Sequence, residues 1–403
     1  MEIRMLKPEE YLSYNLLCNV CFAGKAPKDY EEQLKNPIEH SKGYENCMGG
    51  FDEEGNLIAA LEMIPYEMNF DGSIVKMCGI ASVVTAPEAR GTGVMGKVYE
   101  QCLKKMKEDG YVFSILFPFS YAYYRKFGYE LAHELRSAKV PIKSFHKYPF
   151  PKNSVKFWKK GDCIDDIKSV YESFKQGRNY AINRSDESWE KILKDADPYI
   201  NLQYSYIHYD SNRKADAYLS FMSKRPENSY SNEMHISEFA WATKEGMLAM
   251  FGFIGGLSPQ FSTVHWRNVP EDIDLGSMFA EGGDVETKAH TYFMTRIIDL
   301  PLALSMMQVP ITASGKVVLD VVDKSMTCNS GKYAVSWNDG KLTVEKTEAS
   351  PDISTSIETL VQMLVGYTTP QTAKYRLDTT IHGNMAEIEV LFPKKNLYMW
   401  ETF

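Results

Sequence analysis

The sequence predicts a mixed α/β and α+β protein of three consecutive domains, the first two built on one plan. Three observations carry this. At 403 residues the chain is too long for one ordinary hydrophobic core. An apolar strand ending at Thr85, a short loop and an amphipathic helix from Thr92 recur in the same order at Ile236–Met250. From about residue 291 the order changes to strands followed by a helix, the pattern of a small α+β domain. The expected boundaries are 1–152, 153–290 and 291–403.

In the first domain Pro8-Glu9-Glu10 marks a helix start, with Leu12, Leu16, Leu17 and Val20 following at helical spacing. A meander comes next. Asn46–Asp52 and Leu57–Pro65 read as strands around the turn Glu54-Gly55-Asn56, and Asp71-Gly72 turns the chain into the strand ending at Thr85. The following helix carries Val94, Val98, Cys102 and Met106 on one face, and Gly110 stops it. Val112–Phe117 is a buried strand broken by Pro118. In the second domain Ile164–Lys175 and Trp189–Asp195 read as helical and Leu202–Tyr209 and Ala215–Met222 as strands. In the third, Gly315–Val322, Tyr333–Trp337 and Lys341–Lys346 are expected strands. Ser354–Val365 is an expected amphipathic helix and Glu387–Phe392 a final strand.

Composition narrows the function. A net charge of −8 argues against a nucleic-acid surface and suits cationic substrates. The first residues hold no long apolar run, so no signal peptide is expected, and no stretch approaches a membrane-spanning length. Seven scattered cysteines, an odd number, point to a reduced, cytoplasmic compartment. Cys18-Asn19-Val20-Cys21 has no second pair to complete a zinc site. The eight histidines form no local ligand pattern, so no metal is expected.

The segment from Ile80 to Gly96 is the most informative. Its strand stops at Pro87, passes through a basic glycine-rich loop and opens into a helix. Such a loop exposes backbone N–H groups at a helix N-terminus, where the helix dipole favours a pyrophosphate. Gly91-Thr92-Gly93-Val94-Met95-Gly96 fits Gly-x-Gly-x-x-Gly, but the strand before it belongs to hairpins rather than a βαβ unit. The copy at Ile236–Met250 lacks Arg-Gly-x-Gly and has an acidic residue in its loop, so it reads as a degenerate repeat without cofactor. The other informative segment is Tyr123-Tyr124-Arg125-Lys126-Phe127-Gly128-Tyr129-Glu130.

Pro87-Glu88-Ala89-Arg90-Gly91-Thr92-Gly93-Val94 resembles motif A of the GCN5-related N-acetyltransferases (GNAT), and the tyrosine segment resembles the stretch that follows their thioester-side strand. The resemblance implies acetyl-coenzyme A as co-substrate. Val83, Val84 and Thr85 would meet the pantetheine arm and the oxyanion through main-chain atoms. Arg90, Gly91, Thr92, Gly93, Val94, Met95 and Gly96 would hold the pyrophosphate, and Phe119 and Ser120 the other side of the arm. Met95 stands where motif A usually has glycine or alanine, a departure shared by one subfamily. Tyr124 would be the general acid for the departing thiolate, since a phenol with pKa of about 10 stays protonated at neutral pH.

Met294-Thr295-Arg296-Ile297-Ile298-Asp299-Leu300-Pro301-Leu302-Ala303-Leu304 resembles the segment opening the last domain of Eis-type acetyltransferases (enhanced intracellular survival), whose likeness extends over essentially the whole chain. That resemblance implies tandem GNAT domains with a degenerate second copy, and a sterol-carrier-protein-like last domain that delivers the C-terminal carboxylate as base. Here the base would be Phe403. It further implies N-acetylation of small cationic amines such as aminoglycosides or polyamines, and a homo-hexamer. Phe22, Asp29, Glu32, Trp400 and Glu401 are candidates to bind the amine, with Glu31 beside them. The alternatives are a lysine or peptide N-acetyltransferase of the same fold, and a non-catalytic coenzyme A or lipid binding module.

Overall fold

Strand alternation and one crossover helix build the first sheet of the protein, described from a computed structural model covering residues 1–22, 24, 30–36, 38–39, 41–193, 197–227 and 229–403. The chain divides into two units: Met1–Ala132 with Tyr292–Lys394 and Thr402–Phe403, and His133–Thr291 with Lys395–Glu401. In the first unit the strands are β1 (Glu2–Met5), β2 (Cys47–Phe51), β3 (Leu57–Phe70), β4 (Ser73–Thr85), β5 (Phe113–Leu116) and β6 (Glu130–Leu131). The helices are α1 (Tyr11–Phe22), α2 (Tyr30–Lys35), α3 (Val94–Glu108) and α4 (Tyr121–Arg125). The sheet order is β1-β2-β3-β4-β5, then the strand Met294–Ile297, then β6. All neighbours are antiparallel except β4 and β5, which run parallel because α3 carries the chain from one to the other.

The expected face of α3 is its buried face. Val94, Val98, Cys102 and Met106 pack with Leu61, Met63, Cys78 and Ile80 on one side of the sheet. Alternation turns Glu62, Ile64 and Tyr66 of β3, and Met77, Gly79 and Ala81 of β4, to the opposite face.

The same unit contains a second, five-stranded sheet in the order Lys341–Lys346, Gly331–Asn338, Gly315–Val322, Ile353–Ser356, Thr379–Ile381. Helix Ile357–Leu364 follows the fourth of these in chain order. The expected strand Glu387–Phe392 is instead the helix Met385–Leu391. Two facts explain it: the Asn384 side chain caps the Ala386 N–H, and Ile388 and Leu391 are buried at helical spacing. Alternating glutamates mimicked period two over too few residues.

Arg296 ties Met294–Ile297 to the residues after Gly315–Val322. Its guanidinium is fully buried and pairs with both oxygens of Asp323, at 3.0 and 2.8 Å, while also donating to the Phe127 carbonyl. Gly128 has φ of +78° and lies against that guanidinium, where a Cβ would collide. This segment thus completes the first sheet rather than the terminal one.

The second unit holds a seven-stranded sheet in the order Glu286–Thr291, Glu134–Pro141, Phe261–Trp266, Asn232–Trp241, Ala215–Lys224, Gln203–Tyr209, Val155–Trp158. Its one parallel pair, Asn232–Trp241 with Phe261–Trp266, is joined by helix Lys244–Gly256. The plan of strand, helix and parallel strand therefore repeats, as the sequence order predicts. The expected first boundary at residue 152 moves. Glu134–Pro141 pairs with Phe261–Trp266 and Glu286–Thr291, so residues 134–152 belong to the second unit. The tail segment Lys395–Glu401 also belongs there. Asn179 N–H donates to the Asn396 carbonyl at 2.9 Å, Tyr398 N–H to the Asn179 carbonyl at 3.0 Å, and Asn268 Nδ2 to the Met399 carbonyl at 2.9 Å.

Candidate active site

The parallel ladder between β4 and β5 stops at Ile80 and Leu116, and the two strands separate beyond it. A bulge explains where β4 leaves. Glu62 pairs with Ala81 and Ala60 with Val84, so Leu61 faces two residues, and Ser82 takes φ of +48°. The Ala86 N–H bonds the Ile58 carbonyl at 2.8 Å. Alternation then sends the N–H groups of Val84 and Ala86 toward β3 and those of Val83 and Thr85 away from it. The side opposite β3 is the side on which β5 diverges, so two main-chain donors face the gap.

At the end of β4, Pro87–Ala89 forms a single 3-10 turn and the loop rises into α3. Gly91 and Gly93 adopt φ of +83° and +82°. A Cβ at Gly91, Gly93 or Gly96 would meet no heavy atom within 4 Å, so the cradle is open on its outer side. Thr92 braces it from within, donating to the Ala89 carbonyl at 2.7 Å and accepting from the Val94 N–H at 3.4 Å. The N–H groups of Met95 and Gly96 lie in the first turn, where a helix supplies no acceptor of its own. Arg90 is exposed at the loop entry. Met95 is buried in the core with Val94. Its bulk points away from the cradle, which accounts for a large residue at this position. The chemistry of this donor set fits a pyrophosphate.

Across the gap, Ser120 caps α4 by accepting from the Tyr123 N–H at 3.3 Å. Tyr124 on that helix is buried, its ring 5.2 Å from Phe119, 5.2 Å from Tyr123 and 6.3 Å from Tyr99. Burial pushes its phenol well above the ordinary tyrosine range. It therefore stays protonated at neutral pH. Phe119 is largely exposed, on the gap side of the turn.

The last residue of the chain lies on the sheet face opposite α3. The Phe403 ring sits over Gly79, 5.3 Å from the Tyr66 ring and 5.0 Å from the Phe117 ring. Phe117 is the first residue after β5, and Phe119, two residues on, touches Tyr124. The Phe403 ring thus lies by the end of the β4–β5 ladder on one face of the sheet, while Tyr124 packs with the core on the α3 face. Only glycine at position 79 leaves room for the ring, since a Cβ there would lie 2.8 Å from Phe403 Cε2.

The amine-side candidates are not gathered into one place. Phe22 is exposed at the end of α1 and Glu32 is exposed on α2, with Glu31 beside it. Asp29 lies outside the described residues. Trp400 belongs to the second unit, where it lines a cavity. Glu401, expected to meet the amine, is committed elsewhere: Arg184 Nε donates to its Oε1 at 2.6 Å, and Arg184 also holds Glu238 at 2.6 Å. All three side chains are buried, so this carboxylate serves its own unit. One further carboxylate lies on the Phe403 face. Glu62 is half-buried, opposite Ala81 beside the bulge, and faces the same side as Tyr66 and Gly79. Its signal was its place in β3, two positions before Ile64 on the alternating face, but only the pairing register makes that readable.

Models of the acetyltransferase (GNAT) domain match residues 2–132 and 181–297, and a sterol carrier protein domain model matches residues 300–400. The chain carries two acetyltransferase (GNAT) domains followed by a sterol carrier protein domain. Similar solved structures span essentially the whole length. Eis1 from Mycobacterium abscessus is 17% identical, with TM-score 0.83 and all of both chains covered. A GCN5-related N-acetyltransferase from Anabaena variabilis is 20% identical, with TM-score 0.82, covering 98% of this chain and 100% of that one. Another from Kribbella flavida is 19% identical, with TM-score 0.78, covering 100% and 98%. At these identities the likeness is one of fold. A search of the curated proteins finds no match. GNAT enzymes take acetyl-CoA as co-substrate, and the first of these domains has an open glycine cradle and a gap where β4 and β5 part.

The second GNAT unit differs at the corresponding place. Thr243 caps helix Lys244–Gly256 by accepting from the Gly246 N–H at 3.0 Å, and donates to Asp216 at 2.8 Å. Asp216 is buried and crowds Gly246 so closely that a Cβ there would clash. A carboxylate of the protein's own occupies the dipole end that a phosphate would need, which accords with the missing Arg-Gly-x-Gly.

Proposed function

We propose that this enzyme transfers the acetyl group of acetyl-CoA directly to a primary amine of a small cationic molecule, polyamine-like or aminoglycoside-like. The observation that carries the reading is the seat of Phe403 over Gly79, at the point where β4 and β5 separate. A frayed chain end would be polar and loose, whereas this one packs its ring against Tyr66 and Phe117.

In the proposed mechanism, Arg90 and the main chain of Gly91 to Gly96 hold the pyrophosphate. Val83 and Val84, with Thr85, line the pantetheine arm on one side, and Phe119 and Ser120 on the other. The Phe403 carboxylate takes a proton from the ammonium. The amine nitrogen then attacks the thioester carbon, and the developing oxyanion accepts from the Val83 N–H. As the C–N bond forms, the C–S bond breaks and the thiolate takes the Tyr124 proton. The second proton, lost from the nitrogen as it becomes an amide, restores the phenol, and the Phe403 carboxyl releases its proton to solvent. No acyl-enzyme is formed. A net charge of −8, and Glu62 on the face that carries Phe403, support a cationic acceptor. The seven unpaired cysteines support a reducing, cytoplasmic setting. No described helix is long and apolar enough to cross a membrane. The reading includes a homo-hexamer, checked by sedimentation of the full chain.

The test is a thiol-release assay with matched panels of polyamines, aminoglycosides and lysine peptides. Faster turnover of the small polyamines and aminoglycosides supports the reading. Preferential turnover of peptides contradicts it, and tight coenzyme A binding with no transfer to any amine would favour a binding module instead.

A further inference from the structure

The second unit has a sheet face that nothing in the acetyl-transfer reading uses. Glu233 and His235 lie two positions apart on strand Asn232–Trp241, so they project from one face. The neighbouring strand Phe261–Trp266 runs parallel, and its register sets His265 directly beside His235. The two imidazole rings stack with centroids 4.4 Å apart and planes within 6°. Both Nε2 atoms turn to one carboxylate oxygen: Glu233 Oε2 is 3.1 Å from His265 Nε2 and 3.7 Å from His235 Nε2. All three donor atoms lie within 4.8 Å of one another. His265 Nε2 is shielded from solvent, yet makes no well-directed hydrogen bond.

From this geometry we infer that Glu233, His235 and His265 form a binding site for a divalent transition cation of the zinc class. Two imidazoles and one carboxylate are the borderline donors that such ions prefer. Zinc bonds of about 2.0–2.2 Å in a tetrahedral centre hold neighbouring donors roughly 3.4 Å apart. The carboxylate oxygen lies 3.1 and 3.7 Å from the two Nε2 atoms, distances that bracket that spacing. Because the rings stack with planes within 6°, one imidazole turns about its side-chain torsions to aim its lone pair at a shared ion. The side chains are about 30% exposed, and His235 and His265 line a cavity of about 580 Å³, which leaves the remaining coordination position open on that side. Lys139, Lys224, Arg267 and Lys288 line the same cavity, with Glu286 as its one carboxylate. They oppose a bare dication, but only one carboxylate is among the ligands, so the complex keeps a positive charge and its open position is suited to a small anion. The sequence gives no local sign of this site, because its two histidines are 30 positions apart and meet only through the parallel register.

The test uses the full chain, dialysed against chelator and then titrated with zinc in competition with a chromogenic indicator. Metal content is read by mass spectrometry after desalting. One zinc per chain is expected, with affinity falling at least about tenfold in His235→Gln and in Glu233→Gln, and near-complete loss in the His235→Gln/His265→Gln double variant. Far-ultraviolet dichroism and thermal midpoint confirm that each variant is folded. Should the double variant fail to fold, the cobalt spectrum of the unmodified chain decides. Nitrogen and oxygen ligation without a thiolate charge-transfer band supports the site. A thiolate band would place the metal on cysteines, and that result, or zinc binding unchanged by the substitutions, or no binding, would overturn the proposal.

Discussion

Gly79→Ala displaces the chain end while leaving both proposed catalytic residues unsubstituted. Gly79 sits in β4 with ordinary strand geometry, so alanine brings no backbone strain. Its new Cβ would lie 2.8, 2.9 and 3.0 Å from three atoms of the Phe403 ring, where ordinary contact begins at 3.4 Å. The ring must therefore retreat by at least about 0.6 Å, taking the carboxylate with it. A misplacement on the order of 1 Å costs a reacting group roughly a hundredfold. The expected fall in kcat is thus between about tenfold and a hundredfold, with the KM for acetyl-CoA unchanged because the Arg90–Gly96 loop is untouched. The assay is steady-state thiol release, repeated in a chain lacking Phe403. If alanine acts through the ring, its effect disappears in the truncated chain, and the double-mutant cycle shows strong coupling. An unchanged kcat, or a loss that simply adds to that of truncation, would refute the reasoning.

Tyr124→Phe should lower kcat by roughly a hundredfold while leaving acetyl-CoA binding intact. Because burial raises the Tyr124 phenol above its ordinary value of 10.0, unmodified enzyme should show no alkaline fall in kcat below about pH 10, and a fall near pH 8 would exclude this acid. Arg296→Met should destabilise the first unit by about 3–5 kcal/mol, since it strands the fully buried Asp323, and chemical denaturation should show it. Glu130 is buried; desolvation pushes its carboxyl up, but hydrogen bonds from Arg125 and the Leu131 N–H, with the charges of Arg125 and Arg376, bring it below 4.5 overall. Its contribution is therefore present above about pH 4.5 and lost as pH falls through the depressed folded value. Glu130→Gln should lower the thermal midpoint at pH 7, and the gap from the unmodified chain should narrow below pH 4.

What the sequence made legible was local. The glycine loop at Arg90–Gly96 and the buried face of α3 each depend on residues within one turn or loop, so spacing alone reveals them, whereas the Ser120 cap on α4 was not read from the sequence. The plan of strand, helix and parallel strand could be read twice because each copy keeps its order even where Asp216 and Thr243 have replaced the glycine loop. Features set by register were hidden. The bulge at Ser82, which turns the Val83 N–H into the gap, exists only because β3 and β4 pair out of step. Glu62 gains its position from that pairing, and His265 gains its neighbour His235 from a parallel register. Glu401 was a candidate for the amine by its place near Phe403, but Arg184, 217 positions earlier, holds it. Short segments misled for another reason: six residues at Glu387–Phe392 satisfy two periodicities at once, and the cap at Asn384 decides between them.

The proposed chemistry is tested most directly by a crystal structure of the full chain with coenzyme A. The account predicts the sulfur within about 3.5 Å of Tyr124 Oη, and the Phe403 carboxylate facing the same sulfur directly or through one water. A sulfur held away from Tyr124, or a terminal carboxylate turned out to solvent with coenzyme A in place, would contradict it.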